Sequence, residues 1–165
     1  MADRRAQLIA NLEKNADHSV AFFQSLNPGA LEMQVYQEGA GWTVKQVLAH
    51  FITIEQSMHW LFENILDGGP GSPEDFDVER FNRTQPVKLD GLSFDELIHR
   101  FVSVRQETIS IVKGMSEDDL DREGRHVFHG HGTLERFIRW AYEHARIHET
   151  DIRKKLKKNE CPSAY

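Results

Sequence analysis

Apolar residues recur along this chain at steps of three and four, the period of a helix that buries one face. From about Arg4 to Leu26, Leu8, Leu12, Ala16, Val20 and Phe23 share such a face, and Asn27-Pro28-Gly29 then breaks the pattern. A second helix opens at Thr43-Val44-Lys45-Gln46, where Thr43 and Gln46 have the spacing of a capping box. Val47, Phe51, Ile54, Met58, Leu61 and Ile65 form its seam, and Gly68-Gly69-Pro70-Gly71 stops it. Residues 68 to 92 read as a long crossover, with a short helix over Glu74 to Thr84. Ser93-Phe94-Asp95-Glu96 is a second capping box and starts a third helix bearing Leu97, Phe101, Val104, Thr108, Ile111 and Val112, which ends near Gly114. After one helical turn at Ser116 to Leu120 and a loop from Asp121 to Gly132, Thr133 caps a fourth helix over about Leu134 to Lys157. No run of strict alternation is long enough to make a sheet. The pattern predicts an all-α protein, a four-helix bundle with a long crossover between helices two and three.

Length and composition fit one domain over residues 1–165, with 158–165 as a tail outside the bundle. A net charge of −6 argues against a nucleic-acid partner, which needs a clustered basic surface. The basic run Arg153-Lys154-Lys155-Lys157-Lys158 is what the negative end of a helix dipole prefers. The single cysteine, Cys161, excludes a disulfide framework and any multi-cysteine zinc site. With no signal-peptide run at the N-terminus and no stretch of about 20 apolar residues, the expectation is a cytoplasmic protein without a membrane partner.

The fourth helix carries the informative stripe. Leu134, Phe137, Ala141, His144, His148 and Ile152 step by three and four, so two histidines occupy core positions one turn apart. Two neutral imidazoles buried together need partners, and two charged ones repel. A divalent metal relieves both problems. The H-x-x-x-H spacing alone arises by chance; its place on an apolar seam gives it weight. His50, on the flank of the second helix's seam, supplies a third nitrogen. Three imidazoles leave an open coordination position, as catalytic rather than structural zinc sites do. Zinc, nickel and iron all accept such ligands, so the metal's identity stays open.

Two stretches now resemble a known family. Trp42-Thr43-Val44-Lys45-Gln46-Val47-Leu48-Ala49-His50-Phe51 and His144-Ala145-Arg146-Ile147-His148-Glu149-Thr150-Asp151-Ile152 are similar to the tryptophan-to-histidine and paired-histidine segments of the DinB-like proteins, which include the YfiT-like group and thiol-dependent S-transferases. Phe81-Asn82 and the Met115 to Leu120 turn also fit, and the likeness runs over about residues 5 to 157. The resemblance implies a four-helix bundle, often a homodimer, with a divalent metal on His50, His144 and His148.

The first expectation for function is a transferase in which the ion activates a small-molecule thiol toward an electrophilic substrate. The alternatives are a hydrolase using metal-bound water and a non-catalytic metal- or ligand-binding stress protein. No catalytic side chain can be named beyond the ligands. Asp151 reads as a surface carboxylate for Lys154 or Lys155, with a lesser role of orienting His148. Glu143 and Glu149, about 100° off the ligand face, read as solvent-facing. His126, His129 and His131 read as a solvated, mobile loop rather than a second metal site. Arg122 and Arg125 are candidates for an anionic substrate group. His18, His59 and His99 read as structural.

Overall fold

A computed structural model describes residues 3–160. Four long helices carry the architecture: α1 (Arg4–Gln24), α3 (Val44–Leu66), α5 (Phe94–Lys113) and α6 (Leu134–Glu160). The single turn α2 (Pro28–Leu31) and the short α4 (Val78–Thr84) lie in the connections. The expected four-helix bundle with a crossover between its second and third long helices is what forms. Both capping boxes are present, Thr43 with Gln46 and Ser93 with Glu96. Each satisfies two N–H groups that the first helical turn leaves free. α3 packs against α5 and α6, and α1 packs against the same two helices.

Helix α6 runs to Glu160, three residues beyond the predicted end at Lys157, so the basic run is helical throughout. The Arg153 guanidinium covers the Phe22 ring at 4.6 Å. Cys161 lies outside the described residues. No helix among those described is long and apolar enough to cross a membrane.

The stretch read as a mobile loop is instead ordered. β1 (Glu123–His126) pairs antiparallel with β2 (Gly130–Thr133). Four-residue strands rich in glycine and histidine are too short to show alternation, which is why the pattern missed them. The hairpin is held from both sides. A Cβ on Gly124 would stand 2.5 Å from the Ile65 side chain, so only glycine permits this approach. Gly71, at φ +87°, bridges to Arg125, whose N–H donates to the Pro70 carbonyl at 2.8 Å and whose carbonyl accepts from Ser72 at 2.8 Å. The start of the crossover is thereby stitched to the hairpin.

The core divides into two apolar clusters. One holds Leu12, Met58, Phe62, Ile109, Phe137 and Ile138; the other holds Phe23, Leu48, Ile52, Phe101, Ala145 and Ile152. Between them lies a buried polar layer. Arg105 on α5 donates to both oxygens of Glu55 on α3, to Asn15 Oδ1 and the Leu12 carbonyl on α1, and to the Ala141 carbonyl on α6. Thr108 donates to Glu55 Oε1 at 2.7 Å and takes a hydrogen bond from His59 Nε2. One guanidinium therefore touches all four long helices.

Candidate metal centre

The seam of α3 and the stripe of α6 meet as their spacing predicts, and His50, His144 and His148 converge. His144 Nε2 lies 3.2 Å from His50 Nε2 and 2.9 Å from His148 Nε2. At the usual metal–nitrogen distance of about 2.0–2.1 Å, ligands subtending 90–110° stand about 2.9–3.4 Å apart, so this spacing fits a shared ion. One proton on His144 Nε2 would bridge only part of the cluster; a cation satisfies all three nitrogens at once. Among the described residues, this is the group of histidine, cysteine and carboxylate side chains close enough to hold an ion.

Each ring is held by its own neighbours. His50 is 2% exposed and lies against the Trp42 indole, with centroids 4.2 Å apart and planes at 27°. Trp42 Nε1–H donates to the Asn82 carbonyl on α4 in the middle of the crossover. His50 Nδ1 is buried without a partner among the described residues, so stacking sets this ring's orientation. His144 leans on Trp140 at 5.1 Å.

His148 is oriented by hydrogen bonds. Tyr36 Oη donates to Asp151 Oδ2 at 2.9 Å. Having one proton, it must accept at 2.6 Å from His148 Nδ1–H. The proton is thereby fixed on Nδ1, and the Nε2 lone pair is left facing the other two rings. Burial, with Asp151 adding to it, pushes the Tyr36 phenol above its ordinary range, so it stays protonated in this role.

The electrostatics favour neutral ligands. Burial pushes His148 down to about 4 and His144 down to about 3, with His148 as a like-charge neighbour adding to the second shift. Burial and then the two other imidazoles hold His50 well below its usual value. All three present lone pairs at neutral pH, and the full charge of a bound cation would remain available to a further ligand.

Several expectations need correction. Asp151 is tied to Tyr36 and not to Lys154 or Lys155. Glu149 does not face solvent. It is 1% exposed, takes the Ser19 hydroxyl proton from α1, and burial raises its carboxyl pKa. The reason is that α6 is covered on two faces, by α3 at the histidines and by α1 about 100° away. Glu143 is exposed, as expected. Arg122 and Arg125 are engaged by Asp119 and Glu74. His18 approaches Glu149 at 3.7 Å, giving it a companion that the sequence did not suggest.

Sequence reasoning missed Tyr36 and gave Trp42 no role beyond its family likeness. Residues 32–43 have no period to read. An isolated antiparallel bridge between Gln34 and Thr43, with Val35 N–H on the Trp42 carbonyl, folds this segment so that both rings reach the histidines. The only signal was Asp151, three residues after His148.

The DinB superfamily model matches residues 11–152. Among solved structures the fold is similar to YfiT from Bacillus subtilis, described as a probable metal-dependent hydrolase with an unusual four-helix bundle topology. That match has a TM-score of 0.77 at 14% identity, covering 97% of this chain and 90% of YfiT. An uncharacterised protein from Clostridium difficile 630 matches with a TM-score of 0.73 at 13% identity over 95% and 98% of the two chains. The colibactin self-resistance protein ClbS, solved in complex with dsDNA, matches with a TM-score of 0.69 at 14% identity over 96% and 97%. No curated protein sequence matches the chain.

Proposed function

The chain belongs to the DinB superfamily, and we propose that it is a divalent-metal enzyme of that family, with His50, His144 and His148 as ligands, transferring a small-molecule thiol to an electrophilic substrate. The observation that carries this reading is the meeting of three Nε2 atoms within the reach of one ion, each on a neutral ring. A divalent ion held by His50, His144 and His148 would supply Lewis acidity, the chemistry that brings a thiol's pKa toward neutral pH.

The chain's own residues do the rest. Tyr36 and Asp151 keep the His148 proton on Nδ1 and so keep its lone pair on the site. Trp42 holds the His50 ring by stacking, and Phe51 closes the apolar side, 5.9 Å from His148. The low-dielectric surroundings strengthen electrostatic interactions of any charged group beside the three rings. A groove of about 540 Å³ begins at Tyr36 and Asp151 and is lined by Lys154, Lys155 and Lys158. Ammonium groups there suit the carboxylates that low-molecular-weight thiols carry. No cysteine of the protein is needed.

Hydrolysis is the second reading, favoured by the fold shared with YfiT. Elemental analysis of purified protein beside His148→Ala, followed by assays with thiols plus electrophiles and with amide or ester substrates alone, separates the two. Thiol conjugation that requires the metal and is lost in His148→Ala is the expected result. Metal-dependent hydrolysis without thiol would replace the transferase reading, and protein that takes up no divalent ion would end both.

A further inference from the structure

A cavity of about 330 Å³ opens between α3, the start of the crossover and the hairpin. This is within the size range of small-molecule sites. Ile54, Met58, Leu61, Pro73 and Phe76 make its walls, and no charged side chain lines it. Trp60 stands at its rim 53% exposed, a large apolar surface left in water.

Three polar side chains interrupt this apolar lining, Ser57, Ser72 and His126; the Ser57 hydroxyl already donates to the Ile54 carbonyl at 2.6 Å, and His126 carries the largest polar group. The backbone N–H groups of Phe128 and His129 both point at its Nδ1, at 3.1 and 3.4 Å. A nitrogen that accepts carries no proton, so the ring's proton is on Nε2. Nε2–H has no hydrogen-bond partner among the described residues. The neighbouring rings repeat the pattern. His129 Nδ1 accepts from the Arg136 guanidinium, which leaves its Nε2 as a donor. His129 Nε2 and Trp140 Nε1 are both buried without a partner among the described residues. The perpendicular packing of these two rings, at 4.6 Å, lets at most one N–H point at the other's face, a weak contact. Behind the cavity wall, then, the ring N–H groups of His129 and Trp140 outnumber their acceptors, and in the wall itself the His126 N–H is the donor left over.

The cavity shares helix α3 with the three-histidine site, and a row of packed rings connects the two. Ile54 is one turn from His50 on the same face of α3. From His126 a continuous row of rings leads to a ligand: His129 at 4.9 Å, Trp140 at a further 4.6 Å, then His144 at 5.1 Å.

We propose that this cavity holds the substrate of the three-histidine site, and that the substrate is an uncharged molecule with an apolar, aromatic or branched body whose carbonyl oxygen accepts a hydrogen bond from His126 Nε2–H. The proposal rests on the reading of the histidines as a catalytic centre. The absence of charged lining disfavours an ionised group in the cavity, and the unpartnered N–H selects an acceptor over a donor.

Amide NMR titrations test it, using acetophenone as probe, ethylbenzene as the same shape without the oxygen, and benzoate as the charged analogue. They are run on the full chain both metal-free and metal-loaded. Acetophenone should shift the amides of Ser57, Trp60 and Val127 in both forms and bind more tightly than ethylbenzene or benzoate. His126→Phe should weaken acetophenone about fivefold, the worth of one hydrogen bond, and leave ethylbenzene unchanged. Trp60→Ala alters an exposed side chain, so the fold persists even if His126→Phe does not fold, and it should weaken both. Saturable binding in metal-free protein keeps this test separate from metal binding itself. The proposal is overturned if acetophenone does not bind, if benzoate binds as well, or if neither substitution alters affinity. Sedimentation showing a dimer that Trp60→Ala dissociates would also overturn it, assigning the face to a second copy of the chain.

Discussion

Replacing Tyr36 with phenylalanine removes one oxygen atom from the molecule and keeps the ring. In the folded protein that oxygen accepts a hydrogen bond from His148 Nδ1–H at 2.6 Å and donates one to Asp151 at 2.9 Å. Without it, Nδ1–H faces carbon, and nothing holds the neutral ring in the tautomer that leaves Nε2 free. A hydrogen bond linked to a carboxylate contributes about 1.5–3 kcal/mol. That range corresponds to about 10–100-fold in affinity, the same loss that outer partners of metal-bound histidines usually show. Competition between the protein and a chromophoric chelator for zinc or nickel at neutral pH measures it.

Tyr36→Phe should bind the metal about 10–100-fold more weakly while keeping its helical content. Asp151→Asn, which still offers an oxygen to the Tyr36 hydroxyl, should lose less, and His148→Ala should lose most. Affinity within twofold of the parent in well-folded Tyr36→Phe would refute the argument. So would a loss as large as that of His148→Ala, since that would mean the whole site had collapsed.

Two further tests concern acid and the polar layer. His126 and His148 are pushed down to about 4 and His144 to about 3. The unfolded chain therefore takes up protons as pH falls through about 6.5, while the folded protein resists until about 4. Stability from these groups is complete above pH 6.5 and disappears toward pH 4, with His126 alone accounting for at most roughly 3 kcal/mol at one pKa unit per 1.36 kcal/mol. Glu149, whose pKa is raised, offsets part of this because its folded form gains a proton first. Urea midpoints of metal-free protein should fall between pH 7 and pH 4.5, and equal midpoints would contradict the burial argument. Arg105→Met strands Glu55 in the core and should cost about 3–5 kcal/mol in urea denaturation. Arg105→Met with Glu55→Met should recover most of that stability but not the metal affinity; recovery of both would show that the layer plays no part in aligning the site.

The long helices were legible because each announces itself twice, by an apolar period and by a cap. Thr43 with Gln46 and Ser93 with Glu96 start α3 and α5 where the chain itself starts them. The histidines were legible for the same reason: on α6, His144 and His148 take positions that the period assigns to the core, and on α3, His50 flanks the apolar seam. Side chains whose place depends on packing between elements were hidden. Tyr36 sits in a segment of no period, yet the Gln34–Thr43 bridge brings it 112 residues along the chain to His148. Glu149 was misjudged because one helix was imagined with one buried face, and α1 covers a second. The hairpin was missed because glycines at 124 and 71 permit its close approach to α3 and the crossover, a contact that no local pattern records.

Arg105 went unread as well, and it bears most directly on why the site exists. An apolar bundle can slide, since leucine against phenylalanine is nearly as favourable one residue further on. Arg105 removes that freedom because its donors meet acceptors on every other long helix: Leu12 and Asn15 on α1, Glu55 on α3, Ala141 on α6. Glu55 lies five residues after His50, and Ala141 three residues before His144. At a rise of about 1.5 Å per residue, the guanidinium clamps α3 about 7.5 Å from His50 and α6 about 4.5 Å from His144 along their axes. A shift of one residue between these helices would change a 3.2 Å nitrogen spacing by an amount comparable to half of it. A buried ion pair adds little stability over an apolar pair of the same volume. Its value here is alignment: His50 comes from one helix and His144 and His148 from another, and an ion shared by the three would tolerate only tenths of an ångström. The polar layer in the core and the imidazoles a few residues beyond it therefore work as one device.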